Sequence, residues 1–524
     1  MLNLAVIYHM HQPYYANLLT RETELPWVRL HGVKDYLDMV EILKAYPKIH
    51  QTFNLVPSLV EQLEDLMSRS VKDKFLELSY KPAAQLTKQD QEFILNNFFS
   101  INKDSVIAFH PRYYELFFKK QSKKEFNEQD FRDLQVWFNL AWVDPTFRQR
   151  HPELTQLMAK ARFFTEEDKH VLLDKHLLIL EEIIPGYKRC MQSGQIEVTM
   201  SPFYHPILPL LVNTKIAREA ELRTTLPKNH FAYPQDALAQ VNYAAEFFKK
   251  RFGTDLVGMW PSEESVSEHV VPYFLQAGIK WIVTDEALLF KSLKKKKRDT
   301  RLLYQPHLIQ REEGSMAVVF RDRNLSDLIG FNYNKWKAKD AALDFIKHLE
   351  NINKAFKGQD LLVTVAMDGE NAWEYFLHDG HEFLNALYQG LSDASFVQCV
   401  TVSEYLKTHA VTHAIPRLAA GSWIYGNFGK WIGNPHKVKA WEWLASARQT
   451  FDQHLNDPAL LQKLGDRLGI AWKQMYILEG SDWFWWYGED PDGSFDRLYR
   501  MHLTNFYNLL GEKPPEYLQR PLAP

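Results

Sequence analysis

Short runs of consecutive apolar residues recur through the first part of the chain, each closed by polar or charged positions. They are Leu2 to Tyr8, Thr52 to Leu55, Ile196 to Met200, Asp255 to Trp260, Trp281 to Thr284, Met316 to Phe320 and Leu361 to Met367. Runs of this length bounded by breakers read as strands buried on both faces. Helical spacing or long insertions fill the intervals, and strands alternating with helices imply parallel βα units. Seven such units within the first ~410 residues predict an α/β fold built on a closed or nearly closed β/α barrel. From about 60 to 190, charged and aromatic positions recur at three- and four-residue spacing, interrupted at Asn139 to Pro145, which predicts a helical excursion over the barrel mouth. Beyond Gly421 and the Gly433-Asn434-Pro435 turn, Trp441, Leu444, Arg448, Phe451 and Leu455 fall at helical spacing, with further helices through Leu464 and Tyr499. The expected division is therefore 1–415 for the barrel, with its insertion at about 60–190, and 421–524 for a C-terminal helical domain.

Polar residues stand where a barrel places an active site, at the C-terminal strand ends. His9, His11 and Gln12 close the first run, Glu197 lies in the third and His205 follows it, and Arg321 and Asp322 close the sixth. The fourth and seventh runs end near Glu263 and Asp368, each close to a tryptophan, Trp260 or Trp373. Two acids delivered at the ends of separate strands suit a carbohydrate-cleaving site, where one group attacks or stabilises and the other protonates. Glu263 and Glu264 are adjacent, and in extended backbone they point to opposite sides, so only one can face the cleft. Asp368 competes in the same way with Glu370, two residues on and on the same side. His9 and His11 share one strand face, where they can bind sugar hydroxyls or join Asp368 around a divalent metal. Glu197 and His205 read as lining the cleft, the alternative being a buried ion pair in the barrel layer.

Five stretches in order carry a resemblance to a known family: His9-Met10-His11-Gln12-Pro13, Gly194 to Val198, Gly258 to Glu263, Asp368-Gly369-Glu370, and the tryptophan-rich segment around Trp423 and Trp431. Together they resemble the five signature regions of glycoside hydrolase family 57, over nearly the whole chain. The resemblance implies a (β/α)7 barrel with helical insertions followed by an α-helical bundle. It makes Glu263 the nucleophile and Asp368 the general acid/base of a retaining reaction on α-glucans or maltooligosaccharides, with Glu370 as a substrate or supporting partner. It implies no cofactor and no metal. Glu264 is a mild departure, since many relatives carry a small residue there. The first signature is closer to amylase and amylopullulanase-like members than to branching enzymes, so α-glucan hydrolysis is the expected activity. A 4-α-glucanotransferase using the same pair is the near rival. A catalytically weak glycan-binding protein and a metal-dependent deacetylase or mannosidase-like enzyme represent other classes.

Composition adjusts this picture in a few places. Aromatic residues make up 14% of the chain, with 15 Trp, 24 Tyr and 33 Phe, and sugar C–H faces stack on such rings, so Trp260, Trp373, Trp423 and Trp431 are subsite candidates. In the run Trp483 to Tyr487 about half the rings are expected to pack between bundle and barrel, with Asp482 or Trp483 reaching the cleft. A net charge of −3 gives no field for nucleic acid or an acidic membrane surface. The basic run Lys294 to Arg298 reads as a solvated loop. Cys190 and Cys399 make no disulfide framework, Met1 to Tyr8 reads as a core strand without a leader, and no stretch approaches ~20 apolar residues. A reducing, cytoplasmic location is expected.

Overall fold

The computed structural model describes residues 2–295, 297–489 and 493–522. Its organising element is strand β1 (Leu2–Met10), buried along its whole length because parallel strands flank it on both sides. On one side lies β7 (Leu361–Asp368), in a register running from Leu2↔Leu361 to His9↔Asp368. On the other, β2 (Gln51–Leu55) pairs Ile7 to Met10, and β3 (Ile196–Thr199) pairs β2 in turn. A parallel bridge, Met200↔Met259, joins β3 to β4 (Gly258–Met259), after which β5 (Trp281–Asp285) and β6 (Gly314–Arg321) lead back to β7 through Arg321↔Thr364. The ring of seven parallel strands is nearly closed, with single pairings at two of its joints.

The fourth run pairs over only two residues, not the six that its apolar pattern suggested. Gly258 is pressed against the Trp281 indole so closely that a Cβ would lie 2.2 Å from the ring, and Pro261 ends the ladder by lacking a donor. Alternation sorts the remaining strand residues. Ala5, Ile7, Val283, Ala317, Val319, Leu362 and Ala366 point into the barrel, where Trp260, Trp281, Val400, Val402 and Tyr405 complete a separate inner core. A later apolar segment, strand only at Val397–Cys399 beneath β2 on the edge of β1, supplies Val400 and Val402 to that plug. Thr401 then caps a helix in a reciprocal capping box with Glu404, so Val402 begins a helix.

The excursion contains α1 (Glu128–Leu140) and α2 (Glu166–Gln192), and the expected interruption falls where α1 ends and Asp144 caps the following helix. After β3 comes α3 (Pro234–Phe252), and after the capped helix α4 (Val402–Thr408) come α5 (Pro435–Asn456), α6 (Arg467–Leu478), α7 (Ser481–Trp486) and α8 (Ser494–Leu510). Buried polar contacts tie these late helices to the barrel. Arg448 binds Asp236 at 2.7 Å, Gln240 donates to Glu479 at 2.7 Å, and the Ser481 N–H donates to the His205 carbonyl at 3.0 Å. Among the described residues, no helix is long and apolar enough to cross a membrane.

Candidate active site

The register His9↔Asp368 sets the first histidine level with the proposed acid. Water reaches Asp368 at the strand end, yet the surrounding walls desolvate its carboxyl and hold it above the usual carboxylate range, against the pull of Asn371, His11 and Arg321. Glu263 lies on the turn after β4, largely buried. Burial pushes it up to about 7, opposed by a hydrogen bond from Trp423 Nε1 to Oε2 at 3.0 Å and by His11, and reinforced by Asp482 and Asp368.

The backbone there is not extended, contrary to the expectation drawn for the adjacent acids. Glu263 and Glu264 have φ of 57° and 51°, a left-handed pair that costs energy for residues with side chains. Neighbouring bonds hold it: Val266 and Gly421 exchange backbone bonds of 2.9 and 3.0 Å, and Thr284 Oγ1 donates to the Glu264 carbonyl at 2.7 Å. The two acids still part company. Glu263 borders the cleft, while Glu264 is 1% exposed, 3.7 Å from Arg321, and pushed up to about 8 by burial.

Three imidazoles stack behind the pair. His9 lies over Trp260 at 4.8 Å and His205 at 5.0 Å, and His205 lies over His11 at 4.0 Å. Burial drives His9 down to about 3 and His205 well below the usual range, so both are neutral. Asn54 fixes His9 through Nδ1 at 2.8 Å, and Asp482 on α7 meets His11 Nε2 with both carboxylate oxygens at 2.9 Å. Among the described residues, one group offers metal donors close together, His11, His205 and Asp482, which is not the His9, His11 and Asp368 set suggested by strand spacing.

The residues match the model described as glycosyl hydrolase family 57 over 5–417. The chain belongs to that family. It is 29% identical to Alpha-amylase 1 of Dictyoglomus thermophilum over 159 residues, 30% of this chain and 20% of that protein. It is 23% identical to an alpha-amylase of Pyrococcus abyssi over 239 residues, 44% of this chain and 30% of the relative. The chain therefore matches less than a third of the length of these curated relatives. Among solved structures, the GH57-type branching enzyme of Pyrococcus horikoshii aligns with a TM-score of 0.61 at 16% identity, covering 97% of this chain and 89% of that one. A novel alpha-amylase of Thermotoga maritima aligns at 0.60 and 14% identity, covering 97% and 93%. At these identities the likeness is one of fold.

Within this family 57 chain the cleft gathers Glu263, Asp368, His11, Asp482 and Trp423, with His9 and His205 buried behind them and Trp260, expected as a subsite ring, part of the inner core beneath His9. Other sequence candidates lie elsewhere. Glu197 sits in the barrel interior, level with Thr52 and Ile7, where its carboxylate accepts from Trp281 Nε1 at 3.0 Å, Ser403 N–H at 3.1 Å and Ser403 Oγ at 2.5 Å. Glu370 is 2% exposed behind the cleft, held by Gln12 at 2.8 Å and pushed up to about 8 by burial. Asp322 caps a helix at Leu325 and is bound by Arg298 and Tyr304, both at 2.8 Å, so Arg298 is not part of a freely solvated basic loop; Lys296 of that run lies outside the described residues. Arg321 is buried, bonded to Asp327 at 2.6 Å, and its guanidinium lies 5.4 Å from the Trp423 ring. Trp373 and Trp431 are fully buried packing residues, and Trp483 donates to the Ile477 carbonyl at 2.7 Å.

Trp485 was not singled out by the sequence. It is half-buried and stacks near Trp423, ring centres 6.2 Å apart and planes at 22°. Its signal was spacing: Asp482 and Trp485 are three apart on α7 and so share a face.

Proposed function

We propose that the protein is a retaining α-glucan hydrolase of the amylase or amylopullulanase type, with Glu263 as nucleophile and Asp368 as general acid/base. The observation that carries this reading is that two carboxyls, Glu263 largely buried and Asp368 desolvated by its surroundings though open to water, stand at the C-terminal ends of two strands of one barrel, close enough for Asp368 to raise Glu263. The relatives named as alpha-amylases add to it. Double displacement starts from an ionised Glu263 and a protonated Asp368, and desolvation of Asp368 favours its protonated form. A Glu263 oxygen bonds to the anomeric carbon as the glycosidic C–O bond breaks, and Asp368 gives its proton to the departing oxygen. Asp368 then takes a proton from water, whose oxygen displaces Glu263 and restores the starting configuration. Neutral His9 and His205 suit hydrogen bonding to sugar hydroxyls, and Trp423 suits stacking on a sugar face. The two free, buried cysteines fit a reducing, cytoplasmic setting.

A second reading, 4-α-glucanotransfer, draws on the Trp423–Trp485 pair, which offers an acceptor sugar an aromatic wall beside Glu263. Incubation with maltoheptaose beside a Glu263→Gln control tests both. Shorter products with rising reducing ends mark a hydrolase. Products both shorter and longer at constant reducing ends mark a transferase. No change with either protein would remove the α-glucan assignment.

A further inference from the structure

We propose that the cleft carries a transition-metal site made by His11, His205 and Asp482, and that an ion bound there shuts the enzyme down. Only the inhibitory half rests on the assignment of Glu263 and Asp368; the site itself stands on its three side chains.

These side chains arrive from the end of β1, the turn after β3 and helix α7, and their donor atoms lie within 4.8 Å of one another. Zinc, about 2.0 to 2.2 Å from each ligand, holds its donors roughly 3 to 4 Å apart, so a small closure with a turn of the histidine rings completes the set. His205 supplies the independent observation. Its ring is 1% exposed, Nδ1 lies 3.1 Å from the Ser481 hydroxyl, and Nε2 has no hydrogen-bond partner among the described residues. A buried polar atom without a partner calls for an occupant. With Nδ1–H donated to Ser481, the lone pair on Nε2 is bare, the arrangement of a metal-ligating histidine. His11 Nε2 already faces both Asp482 oxygens at 2.9 Å, and an ion can replace the proton between them.

The donor set selects the ion. An imidazole lone pair lies in its ring plane, so rings stacked at 4.0 Å and 29° must turn to share one ion. Strong bonds to nitrogen offset that turn. Two imidazoles and one carboxylate therefore favour Zn2+, Co2+ or Cu2+ over Mg2+ or Ca2+, which prefer oxygen. His205 Nδ1 is 4.0 Å from Glu263 Oε1, so a dication here attracts the nucleophile's carboxylate and withdraws His11 and Asp482 from the sugar.

The test begins without substrate. Chelator-treated protein is titrated with CoCl2 while its visible ligand-field bands are followed. The expected result is one equivalent bound, displaced by Zn2+, with affinity lowered more than about 10-fold in His205→Gln and in Asp482→Asn, each checked for folding by circular dichroism. Maltoheptaose cleavage by the metal-free protein then falls at least about 10-fold with Zn2+ and recovers with EDTA. Absence of bands, or bands undiminished in both variants, overturns the site. A rate unchanged or raised by Zn2+ overturns its inhibitory role. Bands in a protein inert toward maltoheptaose support the site and count against the α-glucan reading instead.

Discussion

The indole N–H of Trp423 donates to Oε2 of Glu263 at 3.0 Å, and the backbone N–H of the same tryptophan lies 3.5 Å from the Glu263 carbonyl oxygen. One residue from a segment far along the chain thus holds both the side chain and the strained main chain of the proposed nucleophile. It also opposes most directly the burial that lifts Glu263 to about 7.

As the proposed nucleophile, Glu263 would attack only when ionised, so activity is expected to fall as pH drops through about 7. Trp423→Phe removes a donor that favours the carboxylate. The acid limb of the kcat/KM profile is expected to move to higher pH, with kcat/KM below that limb reduced about 10-fold. An acid limb that stays in place would mean that the indole does not set the charge of Glu263.

Asp368→Ala removes the proposed proton donor for a poor leaving group. Cleavage of maltooligosaccharides is expected to drop about 10^3-fold, while an aryl maltoside with an acidic phenol loses less than about 10-fold. Comparable losses on both substrates would take the acid role away from Asp368.

The sequence and the structure agree where burial alone dictates residue type. The seven apolar runs were visible because strands buried on two sides need no polar face, and His9 and His11 were assigned to one face because strand period is fixed. The Glu263–Glu264 turn departs from the extended backbone expected because the contacts that hold its left-handed form come from Gly421, which pairs with Val266, and from Thr284, both distant in sequence from the turn. The helix after Thr401 carries a signal of its own in the sequence, since Thr401-Val402-Ser403-Glu404 is a capping box. Nothing in the order of residues announces that Asp482 meets His11 across 471 positions.

Glu197 separates support from catalysis. Glu197→Ala leaves Trp281 Nε1 and Ser403 without their acceptor inside the barrel, and stability is expected to fall by about 3 kcal/mol with kcat/KM of the folded enzyme unchanged. Thermal melts paired with initial rates decide the matter. A drop in kcat/KM at constant Tm would return Glu197 to the substrate.

The tryptophans of α7 divide in the same way. Trp483, 2% exposed, is expected to cost about 3 to 5 kcal/mol of stability as Trp483→Ala. Trp485→Ala, beside Trp423, raises KM for maltoheptaose several-fold with little change in denaturant midpoint.

Asp38 is buried among Asp35, Asp144, Asp379 and Lys34, and its Oδ1 has no hydrogen-bond partner among the described residues. Burial, reinforced by the neighbouring acids, holds it well above the usual carboxylate range. An acid raised in the folded state costs nothing below its unfolded value of 3.8, and the cost grows as pH climbs toward the folded one. Asp38→Asn therefore raises Tm at about pH 8 and changes it little at about pH 4, as calorimetry across that range would register.

The bond between His11 and Asp482 also sets an order of assembly. All seven barrel strands leave the ribosome before α7 does, so the sheet can close while its cleft still lacks one wall. The short helix Ser481–Trp486 is therefore the last wall of the cleft to be made, and the partner of His11 arrives only when nearly the whole chain has been synthesised.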